Sequence, residues 1–357
     1  IIMDIIYSLC SWGLGHATRS LPIIRKLIKE NHNLTIISSD RSLQLLQKEL
    51  GKQVTYIDIP DYPILISENT RQFIAKSMVY WPVFIKRMED GLQQLQSILK
   101  DTPCDRIISD GRYDMYSKQI PSFFISHQMR IMNPLRFQLF ERGSETFNKF
   151  FFKRFQEIII PDFKENNLSG DLSHNLKKID EDKLHYVGIL SDFSQLDIEK
   201  DIDYFISLSG PEPQRSILEE KIISQLQELA GSIVMSLGKT EETKIPAQKD
   251  IQTYSYLSKE KREELLNRSK LVISRSGYST IMDLATIGTK ALMIPTPGQI
   301  EQEYLAQHLK KTNTCHTNTQ EKLNLKKDLK IAEKTNGFQR TGNVEKTVEN
   351  ILNIVLP

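Results

Sequence analysis

With 357 residues, Lys+Arg 47 against Asp+Glu 45 and a formal net charge of +2, the chain has no global field to draw nucleic acid or an anionic surface, so any basic patch must be local. Hydrophobic content of 39% and charged content of 26% are those of a soluble globular protein, with length for about two domains that each hold a core. No apolar run approaches the roughly 20 residues that span a bilayer, no basic signal-peptide segment opens the chain, and Cys10, Cys104 and Cys315 share no metal-ligand spacing; a reduced, cytoplasmic setting is expected.

The run 3–10, MDIIYSLC, predicts a strand, and SWGLGH at 11–16 a Gly-rich turn into a helix with Leu21, Ile24, Leu27 and Ile28 on one face. Pro22 is expected in that helix's first turns, where its missing N–H costs least. Gly13 and Gly15 could begin a dinucleotide fingerprint, but position 18 is Thr and only Asp40 offers an acid, so an NAD site is not supported. The turn does place His16 at the mouth of a helix. Strands follow at 34–38 and 54–59, separated by a helix around Leu43, Leu46 and Leu50 that Gly51 ends. A helical pattern over 70–100 (Ile74, Met78, Trp81, Ile85, Met88, Leu92, Leu95, Leu99) contains Pro82, which should kink or divide it. Strands at 106–109 and 122–125 end at Asp110 and at Ser126, His127 and Gln128. Strand C-termini are where open α/β sheets bind ligands, so His16, Asp110 and His127 are expected on one rim.

Over 137–155, seven phenylalanines alternate with Arg136, Arg142, Lys149, Lys153 and Arg154; the segment reads as a core helix with snorkelling cations or as a helix lying on an anionic membrane. A polar stretch at 162–183 reads as a linker. A strand at 204–208 then leads through Ser209 and Gly210 into a helix carrying Arg215, repeating the strand, Gly turn and helix of the first half. Strands at 232–236 and 252–256 precede a β-α-β unit over 271–294, whose turn at 274–279 offers free N–H groups and a helix dipole to an anion. Asp283 on its helix, and Glu301 and Gln302 after the Pro295 loop, complete equipment suited to a nucleotide sugar. The Lys- and Glu-rich segment 321–334 reads as a solvated helix, and 344–355 as a last helix.

Arg275, Ser276, Gly277, Asp283, Gly288, Pro295, Glu301 and Gln302, in that order, resemble the donor-binding signature of GT-B glycosyltransferases, and are similar to the family 28 type that includes the peptidoglycan lipid-intermediate N-acetylglucosaminyltransferases. That family usually has Glu where this chain has Asp283. Gly13, Leu14, Gly15 and His16 match the Gly-x-Gly-His common in inverting GT-B enzymes. The resemblance implies two Rossmann-like α/β domains facing across a cleft: an acceptor side over 1–161, a linker over 162–185, a donor side over 186–334, and a C-terminal helix within 335–357 returning to the first domain.

The same resemblance implies donor diphosphate at Ser209, Gly210 and Arg215, the base at Tyr256 and Leu257 through backbone contacts, ribose at Asp283 and sugar hydroxyls at Glu301 and Gln302, with Arg275, Ser276 and Gly277 shaping the site. His16 would be the general base oriented by Asp110, His127 its rival, and Gly13, Gly15 and Gln128 acceptor-side residues. The implied function is inverting, metal-independent transfer of a sugar, from a UDP-linked donor, to a glycan or lipid-linked acceptor. No cofactor and no nucleic acid are expected, and peripheral contact with the inner membrane surface is. No Asp-x-Asp metal motif is expected near the cleft. A nucleotide-sugar epimerase of the same fold and a non-catalytic nucleotide-sugar-binding protein are the alternatives.

Overall fold

A computed structural model describes residues 1–63, 70–132, 137–239, 251–339 and 342–357, and for 70–79 the backbone alone. Arg136 and the side chains of Ile74 and Met78 therefore lie outside the described residues. The chain divides into two compact units: Ile1–Asp192 with Asn343–Pro357, and Phe193–Gly342.

The first unit runs β1 (Asp4–Leu9), α1 (Gly15–Lys29), β2 (Asn33–Ser38), α2 (Asp40–Leu50), β3 (Thr55–Asp58), α3 (Thr70–Asp101), β4 (Arg106–Asp110), β5 (Ser122–Ile125), α4 (Gln138–Phe152), β6 (Glu157–Ile160) and β7 (Leu184–Tyr186). Its strands form one parallel sheet in the order β3-β2-β1-β4-β5-β6-β7. Helices cover such a sheet on both faces, so its strands are continuous apolar runs: Ile5, Ile6, Tyr7 and Leu9 of β1, and Ile107 and Ile108 of β4, are all buried. Strand order reverses between β1 and β4, whose registers end together at Leu9 opposite Asp110. The connections leaving these two strands diverge to opposite faces and open a crevice at their C-terminal ends.

Three expectations are corrected here. Helix α1 already begins at Gly15, inside the glycine turn, so Pro22 is an interior residue rather than one of the first turn. Helix α3 continues through Pro82, so of the two outcomes expected there, a kink or a division, the division is the one that does not occur. The stretch 162–185 is not a linker, because β7 pairs in parallel with β6, Leu184 lying opposite Ile158. Its polar residues are packed by two buried carboxylates: Asp162 accepts the N–H groups of Phe163, Leu168 and Ser169 at 2.8, 3.0 and 2.9 Å, and Glu145 of α4 accepts those of Lys177 and Ile179 at 2.5 and 3.1 Å. The boundary between the units consequently falls after Asp192.

Helix α4 belongs to the core. Phe151 and Phe152 are buried, Asn148 donates to the Met129 carbonyl at 2.8 Å, and Phe137, Leu139 and Phe150 remain exposed. Among the described residues no helix is long and apolar enough to cross a membrane.

The second unit runs β8 (Ile202–Ser207), α5 (Gln214–Ile223), β9 (Ile233–Ser236), β10 (Ile251–Tyr254), α6 (Lys259–Arg268), β11 (Ser269–Ser274), α7 (Tyr278–Ile287), β12 (Lys290–Met293), α8 (Ile300–Lys311), β13 (His316–Thr317) and α9 (Leu325–Ala332). Its sheet is parallel in the order β10-β9-β8-β11-β12-β13, again reversing between its first strand and its fourth, with Ser207 opposite Ser274. Helix α7 stops at Gly288, whose φ of 75° lies in the left-handed region. Helix α9 is not simply solvated: Leu325, Asp328, Leu329 and Ala332 are buried at helical spacing, and Asp328 accepts from His316 Nε2 at 3.0 Å. The charged residues between them masked this face.

The last helix, α10 (Val344–Val355), returns to the first unit, where it buries Val348, Ile351, Leu352 and Val355. Arg106 Nε donates to the Val355 carbonyl at 3.0 Å.

Beneath the β4 loop, Arg112 and Asp114 form a fully buried pair at 2.8 Å, Arg112 also donating to the Ile59 carbonyl at 2.8 Å. Removing one member leaves an uncompensated buried charge. Arg112→Met should therefore destabilise the first unit by about 3–5 kcal/mol in urea unfolding, and Arg112→Met combined with Asp114→Leu should recover most of that loss.

Candidate active site

The loop from β1 to α1 is held open by its neighbours. Asp61 accepts the Ser11 N–H at 2.6 Å, Trp12 Nε1 donates to the Tyr62 carbonyl at 2.8 Å, and Gly13 takes a φ of 89°. Gly13 and Gly15 thus shape a helix mouth at which α1 has no side-chain cap, leaving its first N–H groups unclaimed by a capping side chain. His16 sits in the first turn of α1 and reaches the end of β4, where its Nδ1 lies 2.8 Å from Asp110 Oδ1. Gly111 makes the approach possible: its φ is +81°, and a Cβ there would stand 2.9 Å from His16 Cε1.

Asp110 is wholly buried, yet three groups of α1 meet it. Arg19 donates through Nε to Oδ2 at 2.9 Å and through Nη2 to Oδ1, and Ser20 Oγ donates to Oδ2 at 2.9 Å. Burial alone would raise the Asp110 carboxyl, but Arg19 and then His16, by charge and hydrogen bonding, hold it well below the usual carboxylate range. Arg19 also approaches His16 Nδ1 at 3.0 Å and, through Nη1, His127 Nδ1 at 3.3 Å. His16, Asp110 and His127 therefore converge on one guanidinium, which the sequence reading missed. The signal was present, because Arg19 lies one helical turn after His16. Gln128, next to His127, donates its backbone N–H to Ser126 Oγ at 3.0 Å. Burial raises the nearby Cys10 thiol, which keeps it protonated and unreactive.

In the second unit the loops after β8 and β11 meet at the equivalent reversal. Arg275 is buried and donates to five neutral acceptors: the carbonyls of Ser209 (3.4 Å), Ile294 (3.2 Å), Pro295 (3.2 Å) and Gln214 (2.9 Å), and Gln320 Oε1 (2.6 Å). It ties the Ser209 and Gly210 turn, the start of α5 and the Pro295 loop together. Burial pulls its guanidinium down to about 10, so it stays charged at neutral pH. Gly238 lets the β9 loop close onto the same turn; a Cβ there would meet the Leu208 carbonyl at 2.1 Å.

Ser276 Oγ donates to the Gln302 carbonyl at 2.8 Å, and Gly277 caps α7 without a side-chain bond. The Gln302 carboxamide oxygen accepts the Thr296 N–H at 2.9 Å, so this side chain holds the Pro295 loop in shape. Thr296, itself buried, keeps a hydroxyl with no partner in this loop, whose atom lies 3.6 Å from the Cβ position of Gly210. Glu301 stands half-buried in the first turn of α8 and Asp283 half-buried on α7. Burial lowers the Arg262 guanidinium of α6, against which the charges of Asp283 and Tyr256 act, so the three lie close. Leu257 is buried beside Tyr256.

Arg215, expected at the diphosphate, is engaged by groups of its own unit. Its guanidinium is taken up by Glu212 (2.7 Å), Glu219 (2.5 Å) and the Leu237 carbonyl (3.0 Å), which neutralise its charge inside the unit. The Asp201 and Asp203 pair, an Asp-x-Asp in sequence, lies at the opposite end of β8 and is paired with Arg268 (2.7 Å) and Lys270 (2.8 Å).

Residues 214–349 match the glycosyltransferase family 28 C-terminal domain, and residues 3–116 match glycosyl transferase family 1. The chain is a glycosyltransferase of the GT-B fold. Among solved structures, this glycosyltransferase is similar to CalG4, the calicheamicin glycosyltransferase, at 13% identity and a TM-score of 0.65, covering 99% of this chain and 94% of that one. It is likewise similar to MurG of Acinetobacter baumannii, at 12% identity and a TM-score of 0.61 over 99% of each chain. An uncharacterized glycosyltransferase of Methanosarcina mazei is 24% identical over 330 residues, 84% of this chain and 82% of that protein. A short stretch of 38 residues, 11% of this chain and 10% of the other, is 50% identical to the UDP-N-acetylglucosamine:N-acetylmuramyl-(pentapeptide) pyrophosphoryl-undecaprenol N-acetylglucosamine transferase of Methylobacterium radiotolerans.

The Gly111 contact gives a direct check on the His16 geometry. Gly111→Ala should force the imidazole away from Asp110, lowering turnover at least about 10-fold while nucleotide-sugar affinity stays within about 2-fold of the parent. Turnover equal to the parent's would show that the approach of His16 to Asp110 is not needed.

Proposed function

We propose that this glycosyltransferase moves a sugar from a UDP-linked donor to a hydroxyl of a glycan or lipid-linked acceptor, with inversion and without a metal, using His16 as general base. The observation that carries the reading is the 2.8 Å contact of His16 Nδ1 with the buried carboxylate of Asp110. An acceptor hydroxyl must lose its proton as it attacks the anomeric carbon. A neutral imidazole that gives its Nδ1–H to Asp110 has its Nε2 lone pair available to take that proton, and the carboxylate stabilises the imidazolium that results.

On the donor side, charge accumulates on the departing diphosphate. The support for an anion site is the uncapped start of α7, the Ser209 and Gly210 turn, the unpartnered Thr296 hydroxyl and, beneath them, the Arg275 cation. Arg275 has no carboxylate among its five acceptors, so its field is available to an anion above the loops. Arg215, already neutralised, plays no such part. Asp283 is proposed at the ribose, Tyr256 and Leu257 at the base, and Glu301 at the sugar hydroxyls, with Gln302 acting chiefly through the loop it holds.

His16→Ala should lower turnover by roughly 100-fold or more at near-normal donor affinity, with Asp110→Asn lowering it less. Retained turnover in His16→Ala, with loss in His127→Ala, would move the base to His127. In calorimetry with UDP-N-acetylglucosamine, Asp283→Ala should cost about 1–3 kcal/mol of binding. Unchanged binding would remove Asp283 from the donor site.

A further inference from the structure

We propose that Arg19 is a positioning residue that fixes the proton of His127 on Nε2, making that ring an Nε2–H hydrogen-bond donor, while Asp110 holds His16 in the opposite, Nδ1–H arrangement of a base. The part concerning His16 rests on the proposed function above; the part concerning His127 does not.

A guanidinium has five N–H donors and no acceptor. Arg19 is buried, so its direction is fixed by the fold rather than by solvent. The contact of its Nη1 with His127 Nδ1 at 3.3 Å therefore requires a lone pair on that nitrogen, and neutral His127 must carry its proton on Nε2. In that form Nε2 can donate a hydrogen bond and cannot accept a proton. His127, the rival candidate for the base by its position at a strand end, is thereby given a different task.

At His16 the same guanidinium meets a competitor. Nδ1 lies 2.8 Å from Asp110 Oδ1 and 3.0 Å from Arg19 Nη2, and these partners demand opposite things, the carboxylate an N–H and the guanidinium a lone pair. The carboxylate prevails on charge and distance, since it is wholly buried and carries a full negative charge at the shorter separation. Arg19 Nη2 does not depend on the His16 lone pair, because it donates to the same Asp110 oxygen. The result is Nδ1–H on His16 and a lone pair on Nε2. Three neighbouring groups leave the choice unaltered: Ser20 donates to Asp110 Oδ2, and burial keeps both the Tyr7 hydroxyl and the Cys10 thiol protonated.

The experiment is a long-range proton–nitrogen NMR spectrum of the full chain labelled with nitrogen-15, read at neutral pH for both imidazoles. The expected result is an Nε2–H tautomer for His127 and an Nδ1–H tautomer for His16; the reverse arrangement in either ring would overturn the assignment. Lysine keeps the charge of Arg19 but cannot span Asp110 and His127 together, so Arg19→Lys should give a mixture of tautomers at His127 while His16 keeps Nδ1–H. A His127 spectrum identical to the parent's would show that Arg19 is not the cause.

Release of UDP from UDP-N-acetylglucosamine supplies the second readout. Glutamine can imitate an Nε2–H donor but not a base. His127→Gln should therefore recover most of the roughly 10-fold activity lost in His127→Ala, whereas His16→Gln should fall as far as His16→Ala, about 100-fold. Equal loss in His127→Gln and His127→Ala would remove the donor role. Should the parent release no UDP, the donor reading fails, and the tautomers measured by NMR still decide the role of Arg19.

Discussion

A carboxylate shut away from water at the end of a parallel strand must find its compensation inside the fold, and Asp110 imposes that requirement on everything around it. Arg19, Ser20 and His16 all come from the first two turns of α1, so the helix has to begin where it does, inside the glycine turn. That start in turn needs Gly13 in a left-handed conformation and the Asp61 and Tyr62 contacts that brace the loop. Gly111 needs to lack a Cβ for the same reason. One buried charge thus accounts for the placement of a helix, two glycines and the loop that follows β3.

The second unit repeats the topology with the sign of the buried charge reversed. Where the first sheet reverses order it holds an anion met by a cation and hydrogen-bond donors; where the second reverses it holds the Arg275 cation met only by neutral oxygens. The difference suits the two halves of a group transfer. Proton removal calls for a carboxylate behind an imidazole, while a departing diphosphate calls for positive potential from groups that are already in place. The two charges are not satisfied to the same degree: Asp110 is neutralised within its own unit, whereas none of the five acceptors described for Arg275 is a carboxylate.

Much of this was legible in the sequence because it follows from local pattern. The apolar runs gave the strands, glycines such as Gly51 and Gly288 gave the helix ends, and the strand-end rule put His16, Asp110 and His127 on one rim. What escaped depended on partners distant in sequence. Arg19 reads as a helix-face cation until Asp110, from another strand, is brought beside it, and Arg215 reads as a free phosphate ligand until Glu219 and the Leu237 carbonyl are seen to occupy it. The segment 162–185 failed for a related reason. Its composition is that of a linker, but Asp162 and Glu145 satisfy its backbone from within, and nothing in its own residues announces the pairing of β7 with β6. Helix α9 was misread because charged residues surround a narrow apolar face.

The return of α10 to the first unit bears on how the chain is made. The polypeptide leaves that unit after Asp192 and re-enters it at Asn343, so the whole second unit is an insertion between two parts of the first. A ribosome therefore delivers every described strand of the second unit's sheet before it delivers the helix that bonds the Val187 carbonyl and braces Arg106 in the first unit. The unit translated second has all its parts first. Until the last turn of α10 has emerged, the half that holds the proposed base carries an uncovered apolar face, so delivery of that helix, rather than of the residues around His16, is the step that finishes it.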